Sequence, residues 1–355
     1  MRTRTEPYPD LSVGVRLALA VLVVAAALVV APIGSADTLG QNSAAEPRLL
    51  RIGTGGSQGT YFPVGSLIAS ALTENTTACP PDTRCGVPRL LAVAQLSNGS
   101  VSNVEAISAG ILEAGLVQAD VAHWAYSGSG IFEGKRSHTG LRALASLYQE
   151  NIHVVVGRDS GIRAIRDLED RRVSLDEPGS GTLVDARIIL EAFGLSEDTI
   201  RPVYIKPQFA AEKLRKNSVD AFFIVAGFPT KSVMELTTSG DAMLVPIARQ
   251  TAKAIHRRYP FLAPSKIPAL TYPGVPEIDT VAVAAQLLVS ASLPNDLVYQ
   301  ITRELWTKRT RDMLVNGHPK GKDIRLESAA EGIAIPLHPG AMRYYLERRG
   351  SSSGG

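Results

Sequence analysis

From Leu49 onward, short β-branched or apolar runs alternate with longer stretches of helical period. This alternation restricts the fold more than any other feature, because strands separated by helices build a sheet covered by those helices, an α/β architecture. The strand candidates are Leu49–Ile52, Leu90–Ala94, Ala114–Val117, Leu141–Leu147, Ile152–Gly157, Arg172–Leu175, Ile200–Tyr204, Ala221–Val225 and Thr280–Val289. Helical periods fall at Val64–Glu74, Val101–Ala109, Leu183–Phe193 and Glu212–Lys216, and further helices follow Leu293-Pro294 through Thr310 and from Leu326 to Gly332. Two strand runs, Leu141–Val156 and Thr280–Val289, are unusually long and apolar, and each joins regions that look like complete βα sets. We therefore expect them to cross between two lobes, one from 48 to 150 plus 281 to 347 and the other from 151 to 280.

A chain of 355 residues has room for about two domains, each with its own core. With 45% apolar and 20% charged residues, most of it should fold. Residues 1–36 carry a charged start, an apolar run from Leu17 to Ala31, Pro32 and the small stretch Gly34-Ser35-Ala36. That order is the order of a secretory signal, so the body is expected to be exported to the periplasm. The apolar run is just short of a bilayer crossing, which leaves an uncleaved N-terminal anchor as the alternative. A polar linker follows at 37–47, and a disordered tail is expected at 348–355.

Without residues 1–36 the chain has 34 basic and 32 acidic side chains, and no basic run points to nucleic acid. The two cysteines, Cys79 and Cys85, bracket a turn-rich stretch. In an oxidising compartment that spacing reads as a local disulfide, with two buried thiols as the alternative. Six histidines show no metal spacing, so neither metal nor cofactor is expected.

The segment Gly53-Thr54-Gly55-Gly56-Ser57-Gln58-Gly59-Thr60-Tyr61-Phe62-Pro63-Val64-Gly65 leads from a strand into a helix. Such a loop presents backbone N–H groups beside the positive end of a helix dipole, a setting that favours a carboxylate or phosphate; a plain tight turn is the alternative. Gln58 stands where the third glycine of a dinucleotide fingerprint belongs, and no lysine completes a phosphate-binding loop. Gly55-Gly56-Ser57-Gln58-Gly59 does match the nucleophile elbow of α/β hydrolases, with Ser57 as nucleophile, but it follows the first strand, not a later one. A second loop, Asp176-Glu177-Pro178-Gly179-Ser180-Gly181-Thr182, precedes another helix, which Ser180 or Thr182 can cap. Together the two loops would place a helix N-terminus on each side of one small anion. Ser97-Asn98-Gly99-Ser100-Val101-Ser102-Asn103 forms a polar turn before a helix, and Gln118 and Asp120 stand at a strand end, where open α/β sheets bind ligands. Either side chain can accept a hydrogen bond from an ammonium or hydroxyl; Asp120 can equally cap the next helix.

Gly53–Gly56, Tyr61–Gly65, Asn98–Asn103, Leu116–Val121, Ala143–Tyr148, Pro178–Thr182, Asp220–Phe223, Thr271–Gly274 and Ile335–Gly340, taken in that order, carry a resemblance from about Leu49 to Arg348. The chain resembles the TAXI family of solute receptors serving TRAP (tripartite ATP-independent periplasmic) transporters. The resemblance implies a bilobed type II periplasmic-binding-protein fold. It implies a receptor, not an enzyme, acting as a monomer and delivering a small organic acid or amino acid, with glutamate-like ligands as prototype, to the membrane subunits of a sodium-coupled TRAP permease. A sensor receptor of the same fold stays open beside the hydrolase. Carried over by motif, Gly55, Gly56, Thr60, Tyr61, Asn98 and Gln118 would line the ligand on one side. Ser180, Gly181, Thr182 and Gly227 would line it on the other. Ser57-Gln58 stands where the family often has Thr-Gly and Asn98 where it often has Gly, and no motif fixes an arginine as a carboxylate clamp, so backbone donors would carry charge recognition.

Overall fold

The computed structural model describes residues 47–75, 85–333 and 335–352. The expected signal segment, its linker up to residue 46 and Cys79 lie outside the described residues, and with them the expected bridge to Cys85. Among the described residues no helix is long and apolar enough to cross a membrane.

The strands are β1 (Arg48–Gly53), β2 (Leu90–Gln95), β3 (Ala114–Gln118), β4 (Leu141–Gly157), β5 (Arg172–Ser174), β6 (Arg201–Val203), β7 (Ala221–Ala226), β8 (Ala242–Leu244), β9 (Ala263–Ile267) and β10 (Ile278–Ser290). The helices are α1 (Tyr61–Leu72), α2 (Ser100–Ser108), α3 (Ala119–Ser127), α4 (Gly181–Ala192), α5 (Pro207–Arg215), α6 (Lys231–Thr238), α7 (Arg249–Arg258), α8 (Asn295–Leu305), α9 (Lys308–Gly317) and α10 (Pro339–Ser352). The fold is α/β, with strand order β2-β1-β3-β10-β4-β7-β5-β6 and with β8 and β9 joining β4 and β10.

The two expected strand runs at 141–147 and 152–157 are one strand of 17 residues. Along β4, Leu141–Asn151 pairs antiparallel with β10, and Asn151–Val156 pairs antiparallel with β7. β10 likewise pairs with β3 at one end and β9 at the other. These long strands join two α/β lobes, because each half sits in a different packing layer. Leu144 and Leu147 of β4 join Leu50, Ile52, Ile68 and Val298 in a core under α1 and α8. Further along, Val154 and Val156 face Ile189 of α4 and Ile255 of α7, while Val155 faces Leu214 of α5 and Leu236 of α6. Both faces of the sheet are thus covered, which explains why these strands read as continuous apolar runs.

The polar stretch 326–332 forms only a 3₁₀ turn at Leu326–Ser328, not a helix. At the other end of the chain α10 continues through Ser352, past the start of the expected tail.

Candidate functional site

Five helices begin at one place. α1, α2, α3, α4 and α5 have Thr60, Gly99, Gln118, Ser180 and Lys206 as their N-caps, and all five caps line a single cavity. The topology forces this convergence: β1, β2 and β3 run parallel in one lobe, β5 and β6 run parallel in the other, and the antiparallel pairings β3-β10-β4-β7 between them aim the C-terminal ends of both sets at the same cleft, where the helices that follow begin. Each start carries unpaired N–H groups and the positive end of a dipole, so the cavity is a setting for negative charge. The space open to the centre of a water-sized sphere is about 70 Å³, room for a small solute and no more.

The glycine loop holds its shape through neighbouring polar groups. Asn103 donates to the carbonyls of Thr54 and Leu116, each at 2.8 Å, and Ser97 Oγ donates to Thr54 O at 2.7 Å. A Cβ on Gly65 would come within 2.6 Å of Thr54 Cγ2, so glycine there lets α1 lie close against the loop. Opposite, Ser180 Oγ caps α4 by accepting from Leu183 N at 3.1 Å, and Thr182 Oγ1 accepts from Val225 N at 3.2 Å.

The structure brings Gly55, Gly56, Thr60, Tyr61, Asn98, Gln118, Ser180, Gly181 and Thr182 together around this cavity. Gly227 lies behind the wall: its carbonyl accepts from Thr60 Oγ1 at 2.9 Å, and a Cβ on it would meet Lys320 Cγ at 2.6 Å. Asn98 is exposed at the rim, where it donates to Pro178 O at 3.1 Å. With Ser102 N donating to Gly179 O at 3.0 Å, and with the Thr60 bond, it holds the two lobes shut. Ser57 is exposed in the turn and outside the cavity lining, and among the described residues no histidine bonds to it. The nucleophile-elbow reading therefore has neither its base nor its pocket.

Sequence reasoning missed the acidic groups. Glu150 on β4 lines the cavity, only 2% exposed, and Asp176 and Lys206 line it too. Glu150 lacked a signal because it lies inside an apolar strand run where alternation suggests packing. Burial pushes its carboxyl up to about 8, opposed by the Tyr61 hydroxyl and assisted by Asp120. Burial likewise pushes Asp176 up to about 7. Behind the cavity, Gln118 Nε2 donates to Asp185 Oδ2 at 2.7 Å. Asp120 and Asp185 are fully buried against each other, and burial raises both carboxyls, Asp185 further through the nearby Asp120 charge. Asp120 thus faces a second carboxyl, not the solute. Among the described residues no cluster of His, Cys, Asp and Glu is arranged for a metal.

Residues 52–348 match the model of the NMT1-like family. Among solved structures, the chain is similar to the periplasmic binding protein BugD, with 11% identity over 87% of this chain and 95% of that one at a TM-score of 0.54. The alkanesulfonate-binding protein SsuA from Xanthomonas axonopodis pv. citri, bound to MOPS, aligns over 85% and 84% of the two chains with 18% identity and a TM-score of 0.47. PhnD1 from Prochlorococcus marinus, in complex with methylphosphonate, aligns over 87% and 99% with 10% identity and a TM-score of 0.48. The BugD likeness shows the shared fold; at such identities none of the three speaks for a ligand.

Proposed function

The chain belongs to the NMT1-like family, and we propose that it is an extracytoplasmic solute receptor that closes two lobes on a small anionic or zwitterionic solute. The observation that carries this reading is the small cavity between the lobes, ringed by five helix N-termini. Oriented N–H groups in a closed, water-poor site recognise an acid group without an arginine clamp. The periplasmic character of the BugD fold supports an exported location, as does the secretory order of residues 1–36. The ordered motifs shared with the TAXI receptors support a narrower reading: a monomer that hands a glutamate-like amino acid or organic acid to a sodium-coupled TRAP permease. In this reading the protein binds and releases its solute without chemistry. Gly55, Gly56, Thr60, Tyr61 and Gln118 form one wall, and Ser180, Gly181 and Thr182 the other.

A thermal-shift screen of amino acids and organic acids tests it, since a solute at a hundred times its dissociation constant stabilises the folded chain by about 2.7 kcal/mol. We expect one chemical class to raise the midpoint. Gly181→Ala ties the effect to closure: a Cβ there would lie inside the Gln118 side-chain amide, so the lobes cannot shut although each folds. The variant should unfold near the wild-type temperature, lose solute affinity by more than about a hundredfold, and scatter X-rays as the more open form. Unchanged affinity in Gly181→Ala would remove this cavity from the reading.

A further inference from the structure

The five helix starts account for an acid group on the solute, but they leave one lining group unexplained. Glu150 is a carboxyl placed where five helix starts favour negative charge in the solute. It is 2% exposed, it opens onto the cavity from the strand that joins the lobes, and it forms no ion pair among the described residues. The nearest cation, Lys320, is engaged with Asp323 at 2.9 Å and lies 4.0 Å from the Phe228 ring centroid. The cation that lines the cavity, Lys206, faces Glu177 at 3.7 Å. The Tyr61 hydroxyl beside Glu150 also faces Ser100 Oγ at 3.4 Å. A carboxyl this deep stabilises a fold poorly, since apolar groups of similar size would fill the space at lower cost. Its presence makes sense if the partner arrives with the solute.

We propose that the Glu150 carboxyl is the seat of a protonated amino group on the solute and sets the cavity's preference for solutes that carry one. The proposal rests on the receptor reading and narrows it from acids in general to zwitterions, the acid end lying against the helix starts and the ammonium against Glu150. Tyr61 on α1, Asp120 on α3, Asp185 on α4, Tyr148 on the same strand and Lys320 are the titratable groups that act on it or feel its charge. With the site empty, burial keeps the carboxyl protonated at neutral pH. When the ammonium enters, the carboxyl loses its proton to solvent and the carboxylate pairs with the unchanged ammonium. Capture near pH 7 therefore releases close to one proton from Glu150.

The test is calorimetry on the full chain with matched pairs, each L-amino acid against the carboxylic acid of the same skeleton lacking the amino group. We expect the amino acid of the best pair to bind at least about tenfold more tightly, because a site built for a donor rejects the analogue without it. Titrations at pH 7 in buffers of different ionisation enthalpy should show net proton release. Glu150→Gln should bring the two members of the pair within about threefold of each other and abolish the release, whereas Asp312→Asn, exposed on α9 and outside the cavity lining, should preserve both. Equal binding of the pair by the wild-type chain, which needs no variant to fold, would overturn the proposal and leave the receptor reading standing. So would retention of the preference in Glu150→Gln. A chain that binds no member of any pair would overturn both readings.

Discussion

His153 and Glu150 stand on the same strand three residues apart, and burial drives them in opposite electrostatic directions. The imidazole of His153 is pushed down to about 4 by burial. It is held neutral between the Asn151 carbonyl, 2.9 Å from Nδ1, and the Tyr272 hydroxyl, 2.9 Å from Nε2, and Tyr272 in turn accepts from Thr230 N at 3.0 Å. Relative to an unfolded value of 6.5, this group supports folding above pH 6.5 and loses that support as pH falls toward 4, about 3 kcal/mol in all. Glu150, raised from 4.5 to about 8, supports folding below pH 4.5 and loses that support as pH rises through 8. Between 4.5 and 6.5 the two slopes cancel. Asp176, raised from 3.8 to about 7, adds a further loss across that window, so urea unfolding of the solute-free chain should show stability falling from pH 4.5 to 8. Glu150→Gln should flatten the decline between pH 6.5 and 8 by about 1.4 kcal/mol per unit, leaving the part due to Asp176. A wild-type profile flat from 6.5 to 8 would contradict the burial assigned to Glu150.

At the scale of elements, Ser180 has two duties that can be separated. Its hydroxyl caps α4, and its residue lines the cavity. Thr307 caps α9 in the same way, accepting from Thr310 N at 3.2 Å, but sits outside the cavity lining. Alanine at either position should cost about 1 kcal/mol of stability. Only Ser180→Ala should also weaken solute binding, and equal affinities in the two variants would confine Ser180 to capping. Such loops were legible in the sequence because glycine, serine and proline between an apolar run and a helical period have few other uses. The strands were legible for a related reason: β4 and β10 are buried on both faces and leave long uninterrupted apolar runs. β8 and β9 were not, since β8 has three residues and β9, Ala263-Pro264-Ser265-Lys266-Ile267, alternates exposed and half-buried positions with a proline. α7 was missed because Arg249–Arg258 buries only Ala252 and Ile255, so its apolar stripe is too thin to show a period. α3 was legible only as the helix that Asp120 could cap; it starts earlier, with Gln118 as its N-cap, because β3 runs into it without a turn at Gln118-Ala119. Glu150 was illegible because only the pairing of β4 with β7 and β10 shows that a carboxyl in that run faces a cavity.

For the whole molecule, closure brings two acids together. Asp120, in the first turn of α3 in one lobe, and Asp185, within α4 of the other, are both fully buried, and Gln118 of the first lobe donates to Asp185 across the divide. Two carboxylates cannot both stay ionised at such close quarters without water or a cation, so the shut form holds a proton between them. Opening exposes both to water and lets that proton go. The shut form is thus the protonated one, and the open form gains as pH rises. Small-angle scattering of the solute-free chain should show the radius of gyration increasing from neutral to alkaline pH, ahead of any loss of helical circular dichroism. Asp185→Asn removes the shared charge and keeps an amide that Gln118 can meet, so it should hold the chain compact across the same range. If the variant expands with pH as the wild type does, the opening force lies elsewhere, and Asp176, a further buried carboxyl lining the cavity, supplies it.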